Sequence, residues 1–133
     1  MEKAVELLNV TSFAFDDEKA SESLDSLMSF VSYLLPVDNQ HYPSAPLASQ
    51  SDAINFCLHH SALHFSKTAG SLAAFVESAD HGHFPRIQTL ENIVASSIVN
   101  SLKLAEEIGI TGSEIMAAVK AKFAEPDRLA LQR

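Results

Sequence analysis

The sequence predicts an all-α protein, an antiparallel bundle of four to five helices. Three observations carry that prediction. Apolar residues recur at i, i+3, i+4 and i+7 in four segments, the pattern of one helical face. Helix start and stop signals separate those segments. No stretch alternates apolar and polar residues for long enough to make a strand.

A short helix is expected over Lys3 to Leu8. The first long one runs from Glu18 to Leu35, where Leu24, Leu27, Met28, Val31, Leu34 and Leu35 share a face and Pro36 stops the chain. The acids Asp16, Asp17 and Glu18 precede it, with Glu22 and Asp25 after. Two readings fit them: complements to the positive end of the helix dipole, or a divalent-cation site. Residues 36–50 hold Pro36, Pro43 and Pro46 and read as a long loop, functional, mobile or an arm across a partner subunit.

The second helix begins after Ser49 or Ser51, either of which can cap it, and runs to about Ala79. Ile54, Phe56, Cys57, Leu58, Leu63, Phe65, Leu72, Phe75 and Val76 make it apolar on more than one side. Such a helix is expected at the centre of the core or of an oligomer interface. The segment Asp80-His81-Gly82-His83-Phe84-Pro85 is a turn. The third helix runs from Thr89 to Ile108 along Leu90, Ile93, Val94, Ile98, Leu102 and Ala105, with Gly109 as its C-terminal cap. Thr111-Gly112-Ser113-Glu114 matches a capping box. A fourth helix follows on Ile115, Met116, Val119 and Phe123, and Pro126 ends it. Residues 1–125 therefore form a single helical domain and 126–133 a tail.

Composition excludes several functions. With 47% hydrophobic and 20% charged residues the 133-residue chain is globular rather than disordered. Seventeen acids against nine bases give a net charge of −8, which disfavours binding a nucleic-acid backbone. Residues 1–66 carry nine of the acids and only Lys3 and Lys19 as bases. The one cysteine excludes a disulfide framework or a cysteine zinc cage, and its apolar surroundings make it a buried structural thiol. No apolar run reaches a membrane-spanning length, and Met1-Glu2-Lys3-Ala4 does not resemble a signal peptide. A soluble, cytoplasmic domain with no membrane partner is expected.

No phosphate loop, nucleophile elbow or H-E-x-x-H pair is present. The visible polar cluster is on the second helix. His60 and His64 are i, i+4 and share a face. That spacing suits a transition metal if further ligands arrive, or a hydrogen-bonded interface. Lys67 follows one turn on, and Gly70 is expected to mark close packing of another backbone. Ser96, Ser97, Asn100 and Ser101 form a polar strip on the third helix, either to let helices approach or to line a pocket for a nucleotide or sugar. Glu77 and Asp80, i, i+3, can face Glu91 across the turn.

The segments Glu91-Asn92-Ile93-Val94-Ala95-Ser96, Leu104-Ala105-Glu106-Glu107-Ile108-Gly109-Ile110-Thr111 and Ser113-Glu114-Ile115 resemble the second half of a MazG-type nucleotide pyrophosphohydrolase. Lys67-Thr68-Ala69-Gly70-Ser71-Leu72 is similar to a worn form of that family's Glu-Glu-x-x-Glu motif. The resemblance covers residues 50–124 and implies an all-α, MazG-like dimer. Family members hold magnesium on that motif and on a later Glu-x-x-Asp. Here Lys67, Thr68 and Ser71 stand at the first set of acid positions, and Ile93 and Ser96 at the second, with Glu91 two residues out of register. The resemblance with these departures implies a protein that has lost magnesium-dependent pyrophosphohydrolase activity. It would serve as a nucleotide-like small-molecule binding or interaction module, with His60, His64, Lys67, Ser71, Ser96 and Asn100 as its site and no cofactor. Two alternatives stand beside it. One is an active metal-dependent pyrophosphohydrolase using Glu77, Asp80 and Glu91 as displaced magnesium ligands. The other is a purely structural, partner-binding helical oligomer. A homodimer is expected from the apolar second helix and from the resemblance.

Overall fold

A computed structural model describes residues 15–124; the expected Lys3–Leu8 helix and the tail lie outside them. The described residues form four helices and no strand: α1 (Asp17–Leu34), α2 (Gln50–Asp80), α3 (Ile87–Ile108) and α4 (Gly112–Ala124). Local signals place most of the boundaries. The Asp16 carboxylate caps α1 by accepting the Lys19 N–H at 3.0 Å. Ser49 caps α2, its hydroxyl accepting the Asp52 N–H at 3.1 Å. Gly109 ends α3 in the left-handed conformation, φ 77°, and the Ile110 N–H closes back on the Ala105 carbonyl at 2.8 Å. The capping box at α4 is complete: the Glu114 carboxylate accepts the Thr111 N–H at 2.8 Å, and the Thr111 hydroxyl accepts the Glu114 N–H at 3.2 Å. α3 begins two residues before the expected Thr89, directly after Pro85 and Arg86.

The core lies between α1 and α3. Met28, Val31, Leu102 and Ala105 are buried there, with Leu24, Val99 and Ile115 packed against them. α4 folds back antiparallel on α1, tied by the Gly112 N–H donating to Asp25 Oδ1 at 2.7 Å and by the Lys120–Asp17 ion pair. α2 pairs antiparallel with α3: Cys57 reaches Glu107 near one end of the pair, and Asn100 reaches Thr68 farther along.

Within the chain the central helix is therefore α3, and α2 is not the core. Of the 31 residues of α2 only Cys57 and Ser61 are buried. The reason is geometric. Among the described residues α2 packs mainly on one helix, α3, so a single stripe of it is covered while its other apolar sides stay open. Gly70 also departs from expectation, because a methyl group built there meets nothing within 4 Å. The close helix approach is at Gly112, whose added methyl would lie 2.2 Å from the Ser21 carbonyl oxygen.

The proline-rich loop does not reach away from the chain. Asp38 organises it, accepting the N–H groups of Gln40 and His41 and the His41 ring nitrogen at 2.8–2.9 Å. The loop then turns Tyr42 back onto α2, where its ring packs on Phe56 and His60.

Candidate functional site

The covered stripe of α2 runs through Cys57, Ser61, Thr68 and Phe75. Cys57 donates to Glu107 at 3.8 Å, and Lys103 pairs with the same carboxylate. Burial, followed by the Glu107 charge, pushes the Cys57 thiol above its ordinary range. It is a structural thiol rather than a nucleophile.

On one side of that stripe, a cleft of about 660 Å³ lies between α2 and α3. His64, Lys67, Thr68 and Ser71 line it from α2. Thr89, Asn92, Ser96 and Asn100 line it from α3, over a floor of Ile93, Ala95 and Val99, and Leu35 of the α1 end closes one side. The helical period explains the two polar rows. His64, Lys67 and Ser71 are i, i+3, i+7, and Asn92, Ser96 and Asn100 are i, i+4, i+8, so each row stays on one face. The Asn100 amide donates to the Thr68 hydroxyl at 3.1 Å, and that hydroxyl donates to the His64 carbonyl at 3.0 Å, pinning the rows together. Ser71 donates to its own helix at the Lys67 carbonyl. Among the described residues Lys67 has no ion-pair partner. Among the described residues no carboxylate lines the cleft.

Five of the six residues expected from the sequence thus meet here: His64, Lys67, Ser71, Ser96 and Asn100. His60 lies below the cleft instead. Its Nε2 is 3.0 Å from His64 Nε2 and 3.3 Å from the Tyr42 hydroxyl, and its ring stacks on Phe56. Burial, then the neighbouring His64 and Lys103, holds the His60 imidazole below its ordinary pKa, favouring the neutral ring. The expected serine strip splits. Ser96 and Asn100 face the cleft, whereas Ser97 and Ser101 bond back to their own helix and border a second, apolar groove. Thr68, Thr89 and Asn92 join the cleft without having been expected. Their signal was the polar row itself, one turn apart on each helix. Tyr42 carried none, because only the folded loop brings it to His60.

No family model, curated protein or solved structure matches the chain.

Glu77, Asp80 and Glu91 do not assemble as a set. Among the described residues no three His, Cys, Asp or Glu side chains gather as a metal site. α2 continues to Asp80 and α3 starts only after the Gly82–Pro85 turn, and those six intervening residues carry no carboxylate. No helix among the described residues is long and apolar enough to cross a membrane.

The other side of α2 is apolar and open. Leu58, Ala62, Phe65, Ala69, Leu72 and Val76 are all exposed and follow one another at spacings of 4, 3, 4, 3 and 4. That is a coiled-coil seam three heptads long. It continues onto α3 through Ile98, which shares an apolar groove of about 520 Å³ with Phe65.

Proposed function

We propose that the chain is a MazG-like helical module without magnesium chemistry, and that its α2–α3 cleft binds a phosphate-bearing, nucleotide-like small molecule. The observation that carries this reading is the cleft lining among the described residues: one lysine, one imidazole, and neutral hydroxyls and amides, with no carboxylate. A hard divalent cation takes oxygen ligands and usually several carboxylates. A site that must meet phosphate without them does so by direct charge and hydrogen bonds. Lys67 supplies the charge as a point donor, and Ser96, Asn92 and Thr89 supply neutral donors across from it. The cleft volume lies within the roughly 300–1,000 Å³ of small-molecule sites, and the Ile93, Ala95 and Val99 floor offers an apolar seat for a base.

The MazG-like part of the reading is supported by the order of a helix, a proline-rich loop, a long helix, a turn and two further helices. It is also supported by where Lys67, Thr68, Ser71, Ile93 and Ser96 lie. They line the cleft, and they are the positions at which the resemblance implies carboxylates. Thermal shift with nucleoside mono- and triphosphates, with and without magnesium, tests the reading. A ligand of the folded state raises Tm by mass action. Magnesium-independent stabilisation, lost by at least tenfold in affinity in Lys67→Ala, is the expected result. Stabilisation that requires magnesium, or none by any phosphate compound, refutes it.

A second reading, the homodimer, is favoured by the exposed seam on α2. Each leucine or phenylalanine sequestered there contributes about 1.5–3 kcal/mol, and a self-complementary stripe on one long helix suits a two-fold interface. Sedimentation of the wild type and of Leu72→Glu checks it. A dimer that becomes monomeric in the variant is expected, and a wild-type monomer at tens of micromolar rules it out.

A further inference from the structure

We propose that His60 and His64 form a chelate for one borderline divalent transition-metal ion of the zinc, nickel and copper(II) class, seated in the small cavity between α2, α3 and Tyr42. The two Nε2 atoms lie 3.0 Å apart. Two imidazole nitrogens bonded to one metal at about 2.0–2.1 Å are separated by roughly 2.9 Å at a right angle and 3.4 Å at a tetrahedral angle. The observed spacing falls between, so one metal ion can bridge the two nitrogens. The i, i+4 register on α2 sets that spacing without a loop.

The rings are held before any ion arrives. His60 is fixed by stacking on Phe56, ring centroids 5.4 Å apart, and by the edge of Tyr42 at 5.0 Å. The Tyr42 hydroxyl stands 3.3 Å from His60 Nε2, which places an oxygen as a third donor. Fixed ligand orientation is what raises affinity above that of two free imidazoles. The adjoining cavity is about 100 Å³. A water claims about 30 Å³, so an ion with one or two waters fits. The Lys103 ammonium on the cavity wall is offset by its ion pair with Glu107. Imidazole donors select borderline metals over magnesium and calcium, and among the described residues no carboxylate lines this cavity. His64 also lines the larger cleft, so the chelate sits at the edge of that cleft.

The test uses full-length protein stripped with chelator, titrated separately with zinc, nickel, copper(II) and magnesium salts, and read by calorimetry and by Tm. Cobalt(II) d–d absorption reports nitrogen ligation directly. His60→Ala and His64→Ala each remove one donor, and His64 is exposed, so its variant keeps the fold if His60→Ala does not. His59→Ala is the control, because His59 faces an outer groove beside Pro46 and Asp52. The expected result is one equivalent of zinc, nickel or copper(II) per chain and no magnesium effect. Affinity then falls at least tenfold in His64→Ala and is unchanged in His59→Ala. No stoichiometric binding by the wild type, or a His64→Ala affinity within twofold of it, overturns the proposal.

Discussion

Gly112→Ala tests the contact that fixes α4 on α1. A methyl group there would lie 2.2 Å from the Ser21 carbonyl oxygen and 3.0 Å from Asp25 Oδ1. Ordinary carbon contacts begin near 3.5 Å, so the helices must part by roughly 1 Å. The obstacle is backbone, and no side chain can swing away to relieve it. Overpacking of this kind costs about 1–3 kcal/mol. The same movement stretches the 2.7 Å bond from the Gly112 N–H to Asp25, a bond to a charged group worth about 1.5–3 kcal/mol. Alanine returns about 0.5–1 kcal/mol through a less flexible unfolded chain. The net loss is about 2–4 kcal/mol, and for a domain between the size classes of known proteins that lowers Tm by about 6–16 °C. Circular dichroism melts of wild type and variant measure it. A Tm within 3 °C of wild type would mean that α1 and α4 do not meet as described.

Gly70→Ala should do the opposite. It sits inside α2 with nothing within 4 Å of the added methyl, so the helix gains about 0.5–1 kcal/mol and Tm rises by a few degrees; a fall would reveal another backbone packed there. Cys57, buried and with its thiol pushed up by desolvation, should react with a disulfide reagent at least tenfold more slowly in native than in unfolded protein; equal rates would contradict its burial. Glu114 is held below its ordinary value of 4.5, first by the Thr111 N–H and then by the Thr111 hydroxyl. Its folded pKa is depressed, so its contribution is present above 4.5 and fades as pH falls through the lower folded value. Glu114→Gln should therefore melt below wild type at pH 7, and the gap should close toward pH 3. A gap independent of pH would separate the capping from the charge.

What the sequence disclosed and what it withheld divide by range. Caps are local chemistry. Gly109 and the Thr111–Glu114 box act within a few residues and stand where the residue pattern places them, Ser49 is one of the two caps the pattern offers, and Asp16 caps α1 from among acids read only by their charge. The polar rows of the cleft were legible for the same reason, since helical spacing alone puts His64, Lys67 and Ser71 on one face and Ser96 and Asn100 on another. Contacts between distant segments were not legible. Nothing near Gly112 in the chain announces a partner 87 residues earlier at Asp25. Nothing in the loop composition points Tyr42 at His60. Hydrophobicity states that a face must be covered, but not by what, which is why α2 read as the centre either of the core or of an oligomer interface, and within the described chain only one stripe of it meets α3. Glu77, Asp80 and Glu91 do not gather into one cluster among the described residues, because nearness across a turn in sequence does not by itself bring side chains to one point.

The division of α2 into faces ties the structural observations to the functional reading. Its Cys57–Ser61–Thr68–Phe75 stripe belongs to α3, its His64–Lys67–Ser71 row to the cleft, and its Leu58–Val76 seam to neither. A helix of 31 residues spans about 46 Å, whereas the 22 residues of α3 span about 33 Å. The loop packs Tyr42 on the first turns of α2, at Phe56 and His60, and leaves the seam exposed. If a second copy covers the seam, α2 becomes rigid on that side, and the cleft row is then held between two packed faces. Ligand affinity and self-association would be linked, because a ligand that fixes α2 lowers the ordering cost of the interface, and the reverse follows by reciprocity. Leu72→Glu, at a position that does not line the cleft, should then weaken nucleotide binding as well as dimerisation. Unchanged ligand affinity in a monomeric Leu72→Glu variant would show that the two faces work independently.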